Sequence, residues 1–240
     1  KIMAFNRKIW LSWKPKKPCP TCNTGTLDFP NDKYILKTET ASSREMETYG
    51  GNYYSDYVFS MHLKCNNCDE VVAVTGLRSE ENYPSNEEVG LQHSIIPISF
   101  YPALKIIEIP NSCPKSVKKV LNESFGLYWL DISSCANKIR IAIEVLLNEL
   151  NVPDANGTKK LTLHKRLEEF EKTNSDTGNL LLAIKWIGNA GSHYSGLKNN
   201  DVLDAYELLE FALEKLYNDR EKKLIQLSQE INKNKNPLKK

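Results

Sequence analysis

Two CxxC pairs, Cys19-Pro-Thr-Cys22 and Cys65-Asn-Asn-Cys68, constrain this 240-residue chain more than any other feature. Each pair is followed by turn-forming residues, Asn23-Thr-Gly25 after the first and Asp69 after the second. Such a loop turns backbone N–H groups toward the thiolate sulfurs and stabilises the charge that metal binding needs. Two loops supply four sulfurs, the complement of one tetrahedral all-cysteine zinc site. A closed shell of four protein ligands leaves no position for water, so the expected zinc is structural, one per chain, on Cys19, Cys22, Cys65 and Cys68. The pairs are separated by residues 23–64, 42 positions, too many for a bare loop.

That interval and its flanks read as β structure. Tyr34–Thr40 and Tyr53–Leu63 are rich in aromatic, Thr and aliphatic residues, and Val71–Gly76 reads as a third strand. The polar segment Ala41–Asn52, ending in Gly50-Gly51-Asn52, reads as a long hairpin loop, and Glu80–Gln92 as a surface loop. Three antiparallel strands held by a zinc clip make a small zinc-ribbon-like domain. Ahead of it, the first 18 residues carry six basic residues and no acid, with Phe5, Trp10 and Trp13 interleaved. This arm admits two readings: Lys14, Lys16, Lys17 and Trp13 lie on nucleic acid, or the indoles complete the core of their own domain.

Ile95–Ile109, with Pro97 and Pro102, fits a strand or a linker between domains. Beyond it the periodicity changes to that of helices. Ser116–Leu130 is a first helix, and Asp131 or Ser133 caps a second running to Leu150 with Ile139, Ile143, Leu146, Leu147 and Leu150 inward. Residues 151–157 are a loop. Leu161–Lys172, a segment from Asn179, and a long run from Asp201 through Leu224 to Ile231 complete an all-helical bundle. The fold expected is therefore α+β: basic arm and β domain over 1–94, linker 95–113, helical bundle 114–232, and a disordered lysine-rich tail 233–240. Cys113 and Cys135 have no CxxC partner and read as buried small side chains.

The fourth helix carries Lys185, Asn189 and His193 at i, i+4 and i+8, one slanting polar row if the helix continues past Gly188. The other reading ends the helix near Gly188 and makes His193 a turn residue. The net charge of +2 does not by itself predict a nucleic-acid partner, although a local basic patch binds phosphate regardless. No apolar run reaches the 18 residues of a membrane span, and Lys1–Trp10 lacks the pattern of a signal peptide, so a cytoplasmic protein without a membrane partner is expected.

Four motifs in one order carry a resemblance from Pro110 to about Tyr217: Ile109-Pro110, Cys113-Pro-Lys-Ser-Val117, Arg140-x-x-x-Glu144 and Gly188-Asn189-x-x-x-His193. The helical half resembles the bacterial domain of unknown function 4145, related to the HEPN nucleic-acid-associated bundles. That resemblance implies a homodimer, RNA or DNA or a protein partner, and a setting in antiphage defence. It also implies that active relatives cleave RNA without metal, using an Arg and a His a few residues apart, the two helices bearing them coming together in a dimer. Here Asn189 and His193 match that pattern, while Gly188 stands where the Arg would be. Lys185, one turn earlier, and Arg140 are the remaining phosphate ligands. Two readings follow: a binding or effector protein with a degenerate bundle, or a metal-independent endoribonuclease with His193 as base.

Overall fold

The computed structural model describes residues 5–12, 16–31, 35–48, 54–84, 89–192, 196–217 and 220–236. An antiparallel sheet is followed by helices, as the α+β reading requires. Its strands are β1 (Leu27–Asp28), β2 (Leu36–Glu39), β3 (Tyr54–Cys65), β4 (Val71–Pro84) and β5 (Val89–Tyr101). The central order is β1-β3-β4-β5, with β2 also pairing β3. Period-two alternation sets the sheet's two faces. Phe59, Met61, Leu63 and Cys65 of β3 are buried beside Val72 and Val74 of β4, while Val58, His62 and Lys64 point to solvent.

Three expectations need correction. The sheet has five strands rather than three. Ala41–Thr48 is a helix, α1, not a hairpin loop. The Thr40 hydroxyl accepts the Ser43 N–H at 3.2 Å, a cap that starts the helix before the glycine pair that suggested a loop. In the polar stretch Glu80–Gln92, residues 80–84 and 89–92 are strand rather than loop, and 85–88 lie outside the described residues. The stretch belongs to the β4–β5 hairpin, whose pairing continues from Glu80↔His93 to Pro84↔Val89. Backbone pairing there needs no apolar side chains, so polarity was a poor guide. Ile95–Ile109 is strand as far as Tyr101 and irregular afterwards.

The helical half comprises α2 (Lys115–Leu127), α3 (Ile132–Glu149), α4 (Leu163–Glu171), α5 (Ser175–Ser192), α6 (Asn199–Tyr217) and α7 (Arg220–Asn234). A two-residue hairpin, β6 (Ala155–Asn156) with β7 (Lys159–Lys160), lies between α3 and α4, partly where a loop was expected. Asp131 caps α3 by accepting the Ser133 N–H at 3.0 Å. Buried Arg166 fixes the connection from α3 to β6, donating to Pro153 O, Val152 O and Asn148 Oδ1. Ile139, Ile143, Leu146 and Leu147 are buried as their spacing predicts. The run from Asp201 to Ile231 falls into α6 and α7, with 218–219 outside the described residues. Lys233 belongs to the last turn of α7 rather than to a disordered tail; 237–240 lie outside the described residues.

The halves share one apolar core. Phe100 at the end of β5 packs on Trp129 with ring centroids 5.2 Å apart, and the Tyr128 hydroxyl donates to Trp10 O at 3.1 Å. Trp10 is buried, which supports the core reading of the arm's aromatics for that residue. Arg7 reaches Asp204 at 2.5 Å and Glu207 at 2.8 Å on α6. The Glu108 N–H donates to Glu210 Oε1 at 2.7 Å.

Glu210 faces this junction from α6, and burial pushes its carboxyl up to about 7. The Glu108 N–H opposes the shift, while Glu214, Glu108 and Glu207 add to it. The folded state therefore holds this proton to higher pH than the unfolded chain. Stability falls as pH rises from the ordinary value of 4.5 to about 7 and the full cost persists above that. Glu210→Gln keeps an acceptor for the Glu108 N–H and removes the ionisation. Discounting for partial exposure, we expect a gain of about 1 kcal/mol at pH 8, about 2–4 °C in Tm, and none at pH 4. Thermal melts at the two pH values check this.

Candidate metal centre

The four cysteines of the CxxC pairs converge: their Sγ atoms all lie within 4.8 Å of one another, and none is in a disulfide. Cys19 Sγ is 3.6 Å from Cys68 Sγ, and Cys22 Sγ is 3.7 Å from Cys65 Sγ. A metal–sulfur bond of about 2.3 Å sets the edge of a regular tetrahedron at about 3.8 Å, so the cluster fits one tetrahedral ion. Cys19 and Cys65 are buried, and Cys68 is exposed.

Both loops fold alike. Asn23 and Asp69, each directly after the second cysteine of its pair, take the left-handed conformation at φ 56° and 58°. The Thr21 and Asn67 N–H groups point at Cys19 Sγ and Cys65 Sγ, each at 3.4 Å, and the Gly25 N–H at Cys22 Sγ at 3.3 Å. The loops are also tied to each other. Asn67 Nδ2 donates to Thr24 Oγ1 at 2.9 Å and approaches Cys22 Sγ at 3.7 Å. A Cβ on Gly25 would lie 2.5 Å from Cys65 Sγ, so only glycine admits the second loop. Asn67 was missed as a contributor, although an amide inside a CxxC loop is a natural sulfur donor.

Hydrogen bonding splits the thiols. The Thr24 hydroxyl, with the Gly25 and Thr24 N–H groups, holds Cys22 down to about 5. The Glu70 N–H lowers Cys68, but desolvation and the sulfurs of Cys22, Cys19 and Cys65 outweigh it and push Cys68 up to about 12. Four sulfurs this close ionise together only around a cation.

The arm residues expected to meet nucleic acid are placed differently. Lys17 is buried, which corrects the expectation that it contacts a nucleic acid. Its ammonium donates to Ser12 O at 2.6 Å and lies 5.8 Å from the Trp129 ring, and desolvation lowers it to about 8. Lys16 is exposed and ion-paired with Asp28. Trp13 and Lys14 lie outside the described residues.

In the bundle, α5 runs unbroken through Gly188 to Ser192. Lys185 is buried, its ammonium 3.2 Å from the ring centroid of exposed Trp186. Asn189 is half-buried, and His193 lies outside the described residues. Arg140 Nη1 pairs with Glu144 at 2.8 Å, and its Nε donates to Asn137 Oδ1 at 3.3 Å. Gly188 has a packing role: an added Cβ would stand 2.8 Å from Arg140 Cβ and 3.1 Å from Ala136 O. The glycine thus lets α3 bring Arg140 against α5 next to Asn189. Among the described residues, Lys185 and Arg140 are engaged with Trp186 and Glu144 rather than with Asn189.

A second charged feature went unread in the sequence. Lys115, Lys118 and Lys119 on α2 line a surface hollow with Asn122 and Glu123. Glu123 is taken up by Lys138 at 2.9 Å. Lysines in a helix's first turns oppose the helix dipole, and that disfavoured placement was the available signal.

Residues 122–234 match the family model of a domain of unknown function, DUF4145, and residues 5–104 match that of a second domain of unknown function, DUF8608. The first match includes α7, beyond the reach of the motifs that suggested it. No curated protein and no solved structure matches the chain.

Gly188→Ala tests the packing assigned to that position. Alanine gains roughly 1 kcal/mol of helix propensity, but forcing a methyl against Arg140 and Ala136 costs about 1–3 kcal/mol. A net loss of about 1 kcal/mol, read from the denaturation midpoint, is expected. A variant as stable as the parent would remove the packing explanation.

Proposed function

We propose that this chain, a DUF8608 domain followed by a DUF4145 domain, is a nucleic-acid-binding protein of bacterial antiphage defence, its β domain clamped by one structural zinc. The lysine-lined hollow on α2 carries the binding part of the reading. Three cations within Lys115–Lys119 of one helix suit a phosphate backbone, and the acid that lines the hollow with them, Glu123, is itself paired with Lys138. The four-cysteine cluster supports the zinc. Four sulfurs would complete a tetrahedral shell, which supports a structural rather than a catalytic metal. The defence setting rests on the family resemblance alone. Among the described residues no helix is long and apolar enough to cross a membrane.

One observation favours the second reading, a metal-independent endoribonuclease with His193 as base. Gly188 lets the Cβ and Cγ of Arg140 pack directly on the helix that carries Asn189, so an arginine of α3 is rooted beside the position where a side chain is missing. Against it, Arg140 is committed to Glu144 and Asn137, and Lys185 to the Trp186 ring.

Elemental analysis of the purified chain should find about one zinc, as a single four-thiolate site implies. Replacing Cys65 and Cys68 with Ser should remove the metal and unfold the β domain; retention of both would end the zinc assignment. For binding, fluorescence anisotropy with a labelled 20-mer RNA and the matching DNA duplex is the test. Changing Lys115, Lys118 and Lys119 to Gln should lower affinity and reduce the salt slope by about 0.7–0.9 for each phosphate no longer neutralised. An unchanged slope removes the hollow from the interface. Cleavage of the RNA by the parent chain, abolished by His193→Ala with a drop of roughly two to four orders of magnitude, would install the ribonuclease reading instead.

A further inference from the structure

The four sulfurs of the metal centre are not equally sheltered. Cys19 and Cys65 are buried, Cys22 is half-buried and Cys68 is exposed. Two close contacts run between the loops: Cys68 Sγ lies 3.6 Å from Cys19 Sγ, and Cys22 Sγ lies 3.7 Å from Cys65 Sγ. A sulfur that holds a metal does so as a thiolate, which is also the form that attacks an oxidant. Among such thiolates the ones oxidised first are those that solvent reaches, and a second sulfur nearby carries the reaction on to a disulfide. Cys68 is the exposed member of the cluster, and Cys19 stands beside it.

We propose that Cys68 is the site at which hydrogen peroxide modifies this protein, and that the product is a Cys19–Cys68 disulfide that replaces the metal as the clamp between the two loops. The proposal rests on the zinc reading above. The Cys68 thiolate attacks one oxygen of the peroxide: an S–O bond forms, the O–O bond breaks, hydroxide leaves, and the sulfur gives up two electrons. The Cys19 thiolate then attacks the Cys68 sulfur, forming the S–S bond as the S–O bond breaks and a second hydroxide leaves. In sum, two thiolates and one hydrogen peroxide become one disulfide and two hydroxide ions. Closing the gap to a bond of about 2.0 Å takes an approach of about 1.6 Å. Exposed Cys68 makes that movement more readily than buried Cys19, whose sulfur accepts the Thr21 N–H. Cys22 and Cys65 alone offer half the donors of a tetrahedral shell, so the metal is lost. The choice of partner decides what becomes of the fold. A bond within either CxxC pair leaves the two loops unjoined once the metal has gone. A bond from Cys19 to Cys68 ties the first loop, and β1 after it, to the turn between the end of β3 at Cys65 and the start of β4 at Val71.

The test treats the full purified chain with hydrogen peroxide. Zinc is counted by elemental analysis before the oxidant is added, which separates failure of the metal assignment from failure of this one; the adduct and the linkage are read in either case. Brief exposure in the presence of dimedone, which captures sulfenic acids, should label Cys68 ahead of every other cysteine. Longer exposure without dimedone should release the zinc to a chromogenic chelator. Trypsin digestion and mass spectrometry without reduction should then find peptide 17–33 joined to peptide 65–78 through Cys19 and Cys68. The oxidised, zinc-free chain should resist limited proteolysis as the untreated chain does, whereas a reduced chain stripped of metal should be cut within residues 5–104. First labelling at another cysteine, zinc retained through oxidation, a link through Cys22 and Cys65 alone, or disulfides confined to the CxxC pairs would each overturn the proposal. An oxidised chain cut as readily as the stripped one would overturn the disulfide's role as a clamp.

Discussion

Four sulfur atoms within 4.8 Å of one another are the constraint on which the β half turns. Left to themselves they repel as they ionise, and the loops answer with N–H groups aimed at three of them and an amide bridging the two pairs. The ends of β3 and β4 are set by this arrangement. Cys65 closes β3, the Cys65 N–H returns to Glu70 O at 2.8 Å, and β4 begins at Val71, so the second loop is also the turn of the central hairpin. β1 is only two residues long and pairs through Leu27↔Cys65 and Asp28↔Lys64, next to the cluster. So short a strand is held by buried Leu27, by the Leu27 N–H donating to Lys17 O at 2.8 Å and by the ion pair of Asp28 with Lys16, all beside the sulfurs.

From that end of the sheet the structure passes into the bundle without a break in packing. Trp10, Phe100, Tyr128 and Trp129 form one aromatic junction, and Lys17 lies beneath it with its charge against the Trp129 ring. Taking an ammonium out of water among aromatic rings is costly, which is why its proton is held more weakly than usual. The junction combines an apolar centre with an ionic margin at Arg7, Asp204 and Glu207.

What was legible in the sequence was whatever had a local cause. Paired CxxC spacing located the cluster, a run rich in aromatic, Thr and aliphatic residues located β3, and Asp131 announced α3 through its own side chain. What was not legible depended on contacts far along the chain. Gly188 looked like a helix end or a lost functional residue, and its reason is Arg140, 48 positions earlier. Lys17 looked like a solvent-facing cation in a basic arm, and only the approach of Trp129 shows it buried. The polar β4–β5 hairpin was misread because strand pairing is a backbone property that leaves little trace in composition. The candidate metal centre was thus fully legible by residue number, and the polar row on α5 only as far as its helix.

The first cysteine loop touches the bundle through a short relay. Asn23, next to Cys22, donates to Glu108 at 3.1 Å, and the Glu108 backbone is held in turn by Glu210 of α6. Because binding equilibria that share contacts are reciprocal, each side of this relay reports on the other. A bundle that holds Glu108 in place preorganises the loop and would tighten the grip of the cysteines on a metal ion. The avidity of the cluster for metal becomes a gauge of whether the distant helices are correctly assembled.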